Sequence, residues 1–445
     1  MTDLHLEPIS RSRRIASLDV LRGMAALGIL LMNIPAMGLS WQTARPPLPF
    51  RPDIDWIAYA LQQVLANGAM RGLFTMLFGA GMIVMLTRSD PLREAAAVQA
   101  WFTRCFALLL LGLMNFILFL WPGEILFCYG LSGMAIFCFR KAETRLLTVA
   151  AAAVLAITTV GLMSQYGDKL EMVRQNDAAV AALAHHQHLT PEQQKAHDQY
   201  EETLRKNASP QRLAQERTDR TGFPSVLRWS LEAWQEYNVG SPMAIWVDME
   251  AIGSMLLGMM LFRTGVLTGE RSGGFYARLT VTALTIGLLL RGTVEMMAWR
   301  DGYLSTYPTI MASILTYEAG RLAMSVGFVG LVVLSLKANV LRGLTTVLAA
   351  VGRMALTTYI GQSIITSVLF YGLGLWGHFG FAQLMGIALL IWIAQGAFSM
   401  VWLRFFTMGP AEWLLRAVTY GAWTKLRRSD ASSHEGEMHR HVPLF

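Results

Sequence analysis

A chain of 445 residues, of which 54% are hydrophobic and 15% are charged, is too apolar for a soluble protein of this length. The composition and the mean hydropathy of +0.40 predict an all-α, polytopic membrane protein. The formal charge of +7 does not indicate a nucleic-acid partner, because the basic residues cluster in short segments between apolar stretches. The three cysteines fall within apolar stretches, so we expect neither a disulfide framework nor a metal site.

About ten transmembrane helices are predicted from the apolar segments. They lie near residues 15–38, 69–87, 104–121, 124–139, 144–163, 243–262, 279–298, 309–336, 346–373 and 380–405. With a cytoplasmic N-terminus, the short cytoplasmic segments hold twenty Lys and Arg residues and the short outer segments hold four. This asymmetry predicts that both termini are cytoplasmic.

The order of apolar and polar segments divides the chain into four parts. Two five-helix membrane halves cover residues 1–163 and 242–408. Between them, residues 164–241 are polar and predict a helical extracytoplasmic insertion. Residues 409–445 predict an interfacial helix followed by a disordered cytoplasmic tail.

The first span carries a polar stripe in the sequence RIASLDVLRGMAALGILLMNI at residues 14–34. Helical periodicity places Asp19, Arg22 and Asn33 on one side of the helix, with Arg22 and Asn33 roughly 16 Å apart along its axis. Lipid solvates such groups poorly, so the stripe should face the protein interior or a wet cavity. The alternative is an Asp19–Arg22 ion pair at the headgroups with a packing role for Asn33.

Three further candidates follow on the outer side. Asp55 lies in the first turn of an amphipathic helix that we expect at the outer interface. Arg71 opens the segment RGLFTMLFGAG, where it either binds an anion or extends its side chain to the interface. Glu124 follows the Pro122–Gly123 turn in the hairpin GLMNFILFLWPGEILFCYG, and a carboxylate is favoured at such a helix N-terminus.

Charged residues also lie in the second membrane half. Glu250 lies in the outer part of the sixth span. Arg291 and Glu295 are spaced i,i+4, and Glu318 and Arg321 are spaced i,i+3. Both spacings permit ion pairs within a helix, and contact with a substrate is the alternative.

Several stretches resemble the YeiB-like family of bacterial membrane proteins, known as domain of unknown function 418. They are the RIxxLDVLRGxAxLGILxMN opening, the hairpin at 112–130, GRMALTxY at 352–359 and GPxEWLxRxxTY at 409–420. The family is grouped with the transmembrane acyltransferases, which include the heparan-α-glucosaminide N-acetyltransferases. This chain departs from the family pattern at Asn115, where the family usually has His, and at Glu124, where it usually has Asp.

The resemblance implies an acyltransferase in the bacterial inner (cytoplasmic) membrane that moves an acyl group from cytoplasmic acyl-CoA to an acceptor at the outer side. Asn33 and Asn115 would then hold the thioester carbonyl, and Glu124 or Asp55 would accept a proton. The remaining candidates would bind substrate, and they are Asp19, Arg22, Arg71, Glu250, Arg291, Arg353 and Tyr359.

The expected co-substrate is acyl-CoA, without a metal. Expected partners are membrane lipids, a small-molecule, glycan or lipid acceptor, and a second copy of the chain in a homodimer.

Two other classes of function stay open. One is transport or flipping of a small anion or lipid, for which buried charges would also serve. The other is a non-catalytic scaffold in an envelope complex, with the insertion as its docking surface.

Overall fold

The computed structural model describes residues 16–41, 43–87, 94–207, 209–238 and 241–428, and within these ranges the chain is an all-α polytopic membrane protein. In chain order its helices are α1 (Ala16–Gly38), α2 (Ile54–Leu65), α3 (Ala69–Thr87), α4 (Glu94–Phe119), α5 (Ile125–Ala135), α6 (Thr144–Gln165), α7 (Gly167–Ala184), α8 (Pro191–Asn207), α9 (Pro210–Asp219), α10 (Phe223–Asn238), α11 (Pro242–Arg263), α12 (Gly273–Arg300), α13 (Tyr307–Lys337), α14 (Arg342–Gly352), α15 (Ala355–Ser367), α16 (Phe381–Phe405) and α17 (Pro410–Tyr420). Two features of the sequence lie outside the described residues. They are the predicted tail from residue 429 and some of the basic residues counted for the orientation, among them Arg88 and Arg93.

Within the described residues, eight helical stretches are long and apolar enough to cross a membrane. They are α1, the α2–α3 stretch Ile54–Leu86, α4, α6, α11, α12, α13 and α16. The predicted fourth span is a shorter apolar helix, α5 with its 3₁₀ turn, at Ile125–Phe139. The predicted ninth span is a broken helix, because α14 and α15 are bent by 82° relative to each other.

The break between α14 and α15 lies where a residue of α17 contacts the start of α15. The Glu412 side chain accepts hydrogen bonds from the backbone N–H groups of Leu356 (2.6 Å) and Thr357 (3.2 Å). These N–H groups belong to the first turn of α15, so Glu412 supplies a partner that a continuous helix would have provided. Burial raises the pKa of the Glu412 carboxyl, although hydrogen bonds from Thr357 and nearby backbone oppose that shift.

α1 lies at the centre of the bundle and is held by helices from the C-terminal half. The side chain of Gln362 on α15 donates to the backbone oxygen of Ala26 at 3.1 Å. The indole N–H of Trp392 on α16 donates to the backbone oxygen of Leu27 at 2.9 Å. These bonds hold α1, which is part of the first membrane half, against helices of the second.

Glycines allow α1 to touch α14 through the backbone. A Cβ atom at Gly23 would lie 1.9 Å from a backbone oxygen of α14, and one at Gly352 would lie 1.8 Å from a backbone oxygen of α1. α3 and α11 cross in the same way at Gly79 and Gly258. Small residues at such crossings let membrane helices approach closely.

The insertion consists of α7 to α10 and packs on one end of the bundle, which we call the insertion side. Its Arg220 is only 1% exposed, and the guanidinium carbon lies 3.2 Å from the ring centroid of Trp229 and 5.3 Å from that of Trp376. Trp234 on α10 stacks on Phe116 of α4, with ring centroids 5.1 Å apart. The insertion is therefore attached to the bundle by aromatic and cation–π contacts.

Candidate functional site

A cavity of about 540 Å³ opens among α1, α3, α5, α10 and α11 on the insertion side. This volume is typical of sites for small molecules. Its polar lining residues are Asn33, Asn67, Arg71, Thr75, Glu124, Cys128, Tyr129, Tyr166, Glu236, Asn238, Ser241 and Glu250. Four of the site residues predicted from the sequence thus meet at one cavity. Asn33, Arg71 and Glu250 lie on three helices, and Glu124 lies at the N-terminus of a fourth.

Glu124 is the buried carboxyl at the cavity wall, with 2% of its surface exposed. It is the N-cap of α5, because its Oε1 accepts from the backbone N–H of Leu126 at 2.6 Å. Tyr359 donates from its hydroxyl to the same oxygen at 3.2 Å, and Asn115 donates from Nδ2 to Oε2. The helix-terminal role predicted for Glu124 is confirmed, and three donors hold its carboxyl in place.

Asn115 lies behind Glu124 and does not line the cavity. Its side chain is 2% exposed, and Nδ2 is 3.2 Å from Ser363 Oγ as well as being bonded to Glu124. Tyr359 is similarly buried, and its hydroxyl also accepts from the backbone N–H of Ile125 at 3.3 Å. In this geometry Asn115 and Tyr359 act on Glu124, and Asn115 does not line the cavity, where a direct contact with a thioester was predicted for it.

Asn33 reaches the cavity from α1 and is half-buried. Its carboxamide makes no hydrogen bond with any other residue of the described ranges. A side-chain amide has two N–H donors and one acceptor oxygen, so Asn33 presents both kinds of group to the cavity. This is the position that the stripe on the first span predicted.

Arg71 and Glu250 form an ion pair at the cavity wall. Arg71 Nη2 lies 2.8 Å from each carboxylate oxygen of Glu250 and 3.2 Å from the hydroxyl of Tyr317. Arg321 lies 3.5 Å from Glu250 and 2.5 Å from Glu318, which confirms the predicted Glu318–Arg321 contact. The two arginines and two glutamates balance each other in charge, as buried ions require.

Two candidates on α1 lie far from the cavity. Asp19 and Arg22 form an ion pair at 3.3 Å near the start of α1, at the end of the bundle opposite the insertion. The ion pair given as an alternative in the sequence analysis is therefore present. Arg353 lies at the same end, where Nη2 donates to the backbone oxygen of Thr407 at 3.2 Å.

Asp55 and Arg291 are also outside the cavity lining. Asp55 Oδ1 accepts from the backbone N–H of Ala382 at 2.8 Å, in the first turn of α16. Arg291 donates from Nε to the backbone oxygens of Gln63 and Val64, each at 3.0 Å. The pair that the spacing of Arg291 and Glu295 permits is not formed, since Glu295 instead accepts from the hydroxyl of Tyr303.

Sequence reasoning missed several residues that complete the cavity. Trp41 and Trp121 contact each other edge to face, with ring centroids 5.5 Å apart, and both line the cavity. Glu236 and Asn238 reach it from the insertion, which was predicted from the sequence to be a separate unit. Trp121 could have been identified as a cavity residue from the sequence, because it directly precedes the Pro122–Gly123 turn next to Glu124.

Comparison with known proteins finds one family model and several similar proteins. The family model described as "Protein of unknown function (DUF418)" matches residues 261–422. The "Uncharacterized protein YeiB" of Escherichia coli (strain K12) is 28% identical over 416 residues, which cover 92% of this chain and 97% of that protein. The "Uncharacterized protein YxaH" of Bacillus subtilis (strain 168) is 29% identical over 433 residues, covering 95% and 98%.

A third relative is the "Uncharacterized 39.9 kDa protein in amylase 3'region" of Bacillus acidopullulyticus, which is 23% identical over 418 residues. The match covers 93% of this chain and 96% of that protein. No solved structure matches the chain. The chain is therefore similar to the family model of domain of unknown function 418 over residues 261–422, and to YeiB and YxaH over nearly its whole length.

Proposed function

We propose that this multi-pass membrane protein is an acyltransferase that moves an acyl group from cytoplasmic acyl-CoA to an acceptor entering from the outer side. The observation that carries the proposal is the pairing of Glu124 and Asn33 at one cavity. Glu124 is a buried carboxyl held by three donors, and Asn33 is an amide without a hydrogen-bond partner in the described residues. These are the two kinds of group that acyl transfer needs, a proton acceptor and a donor to a carbonyl oxygen.

In the proposed reaction, a hydroxyl or amine of the acceptor attacks the thioester carbonyl carbon. Glu124 takes the proton of the attacking group, and Asn33 donates a hydrogen bond to the carbonyl oxygen as negative charge develops on it. The new ester or amide bond forms and the carbon–sulfur bond breaks. CoA leaves as a thiolate that takes up the proton, which returns Glu124 to its starting state.

The proposal includes an orientation in the inner (cytoplasmic) membrane. The insertion side faces outward, so that α10 borders the route by which the acceptor reaches the cavity. Both termini are cytoplasmic, in agreement with the distribution of Lys and Arg. Acyl-CoA then approaches from the end of the bundle that carries Asp19 and Arg22.

The test is release of free CoA by purified protein in lipid nanodiscs. Acetyl-CoA and palmitoyl-CoA are supplied as donors, with glucosamine, glucose and phosphatidylethanolamine as acceptors, and mass spectrometry identifies the acylated product. Glu124→Gln should remove the proton acceptor and abolish turnover while thioester binding persists. Asn33→Leu should lower turnover by about 100-fold or more, the usual effect of losing one donor to a developing oxyanion.

Glu202→Gln is the matched control, since Glu202 is an exposed residue of α8 that pairs with Lys206. It should turn over like the unchanged protein. Equal CoA release by the Glu124→Gln, Asn33→Leu and control variants would refute the assignment of these residues. Tight thioester binding without product from any of the acceptors would instead favour the second candidate function.

That second candidate is transport of a small anion. It is favoured by the position of Arg71 at the cavity wall, next to the buried pairs formed by Glu250, Arg321 and Glu318. Charge pairs inside a membrane protein commonly mark ion pathways. Proteoliposomes loaded with a labelled small carboxylate would show this activity as flux that Arg71→Gln abolishes.

A further inference from the structure

A second pocket, of about 460 Å³, lies at the end of the bundle opposite the insertion. It is bordered by the start of α1, the end of α13, one face of α14, the end of α16 and the last described segment of the chain. It is separate from the cavity described above, since the two share no lining residue.

The pocket has a cationic rim and an apolar floor. Three arginines, Arg353, Arg404 and Arg428, line it, and no Asp or Glu of the described ranges does; Arg353 also donates from Nη2 to the backbone oxygen of Thr407. The floor includes Val20 and Leu403, which are 2% and 5% exposed. A pocket with this division of polarity suits an amphiphile that has an anionic head and a hydrocarbon chain.

The three arginines converge from separate elements. Arg353 lies in the break between α14 and α15, and Arg404 is in the last turn of α16. Arg428 is brought to the pocket because its backbone N–H donates to the oxygen of Phe405 at 3.0 Å. A cation is stabilised at a helix C-terminus, so helix dipoles favour Arg404 at the end of α16 and Arg353 at the end of α14, but they do not account for Arg428.

The surroundings of the pocket are suited to a bilayer. Leu341 and Leu344, near the start of α14, are 63% and 53% exposed, and Trp423 is 68% exposed. Exposed apolar residues and Trp side chains are typical of the boundary between lipid and water. These side chains are the kind expected at the level of the phosphates of membrane amphiphiles.

We infer that this pocket binds the phosphate-ester head of an amphiphile, with the arginines on the phosphate and the hydrocarbon chain along the apolar floor. Guanidinium groups suit phosphate because their planar N–H groups match two phosphate oxygens at once. Two sources carry this chemistry, an anionic phospholipid of the membrane and an acyl-CoA. The inference concerns binding and stands without the acyl-transfer reaction.

The experiment measures binding to the full-length protein in a neutral detergent, by native mass spectrometry. The probes are dioctanoyl phosphatidylglycerol, dioctanoyl phosphatidylcholine and palmitoyl-CoA. At least one of the two anionic probes should bind, and zwitterionic phosphatidylcholine should bind more weakly. Arg404→Gln should weaken that binding about 10-fold or more, as expected for one charge-assisted contact to phosphate.

Arg278→Gln is the matched control. Arg278 is exposed and lines neither pocket, and replacing it removes the same charge as replacing Arg404. Melting temperatures of the ligand-free variants show whether each is folded. Since Arg404 is exposed, its replacement should leave the fold intact.

The two anionic probes separate the sources. Binding of phosphatidylglycerol that Arg404→Gln weakens and Arg278→Gln does not assigns the pocket to membrane lipid. The same pattern with palmitoyl-CoA alone assigns it to the thioester. Equal losses in the two variants, or no binding of either anionic probe, would overturn the inference.

Discussion

At the scale of single residues, the two positions that depart from the family pattern, Asn115 and Glu124, contact each other. Asn115 cannot accept a proton near neutral pH, but its amide can donate to a carboxylate. Glu124 receives that donation while capping α5 and accepting from Tyr359. In the proposed reaction the proton-accepting role therefore falls on the carboxyl of Glu124, and the amide of Asn115 holds that carboxyl in place.

Asn115→Leu should destabilise the protein by about 1.5–3 kcal/mol, because it removes a donor from a buried charged carboxylate. The same change in a Glu124→Gln background should cost about 0.5–1.5 kcal/mol, since a neutral partner makes a weaker hydrogen bond. Thermal unfolding in detergent of the four proteins in this double-mutant cycle measures the difference. Equal losses in the two backgrounds would show that Asn115 acts by packing alone.

The residues that could be predicted were those whose type is unusual for their surroundings. Asn33, Arg71, Glu124 and Glu250 are polar groups in apolar spans, and all four meet at the cavity. Arg291 is equally unusual in sequence, yet it bonds to the backbone oxygens of Gln63 and Val64. Which partner a buried charge takes depends on the placement of distant helices, and the spacing along its own helix does not contain that information.

At the scale of helices, backbone contact between α1 and α14 sets the position of the central helix. Gly352→Ala would place a Cβ atom within 1.8 Å of a backbone oxygen, and backbone cannot move aside as a side chain can. We expect a loss of about 1–3 kcal/mol or more, the usual result of adding volume to a close-packed contact. A lowered melting temperature and a lower yield of monodisperse protein would be the readouts.

Gly81→Ala is the control for this prediction. Gly81 lies within α3, and a Cβ atom there would meet no atom within 4 Å. Alanine has the higher helix propensity, so the control should be neutral or slightly stabilising. If both alanine variants unfolded at the same temperature, close approach of α1 and α14 would not limit stability.

The helices that departed from expectation did so for tertiary reasons. Residues 346–373 are apolar enough for one span, and composition alone predicted one. The bend of 82° arises where Glu412, which follows much later in the chain, caps the start of α15. Hydropathy predicted the existence of almost every apolar helix, but a cap supplied from a distant segment leaves no trace in a local window.

At the scale of the whole molecule, the proposed orientation predicts opposite accessibility for two sites. Gln194 is exposed on α8 of the insertion, and Gly343 is exposed on α14 with no atom near the Cβ position. Gln194→Cys should react with a membrane-impermeant maleimide in intact cells, because the positive-inside rule places the insertion outside. Gly343→Cys should react only after permeabilisation.

Both variants are made in a Cys138→Ser background, since Cys138 is exposed whereas Cys105 and Cys128 are buried. The background protein without a new cysteine is the control for labelling. Reaction of both new thiols in intact cells, or of Gly343→Cys alone, would contradict the proposed orientation.

The central position of α1 has a consequence for how the protein is made. α1 leaves the ribosome first, but α14, α15 and α16, which provide its closest backbone contact and its bonds from Gln362 and Trp392, leave it last. Until these helices are made, the face of α1 that carries Gly23 has no native partner within the bilayer. A nascent chain halted before α14 would therefore leave the surface around Gly23 without its partner, although Asn33 would already face helices that precede α14. Completion of the C-terminus and burial of the N-terminal helix are thus one event in biogenesis.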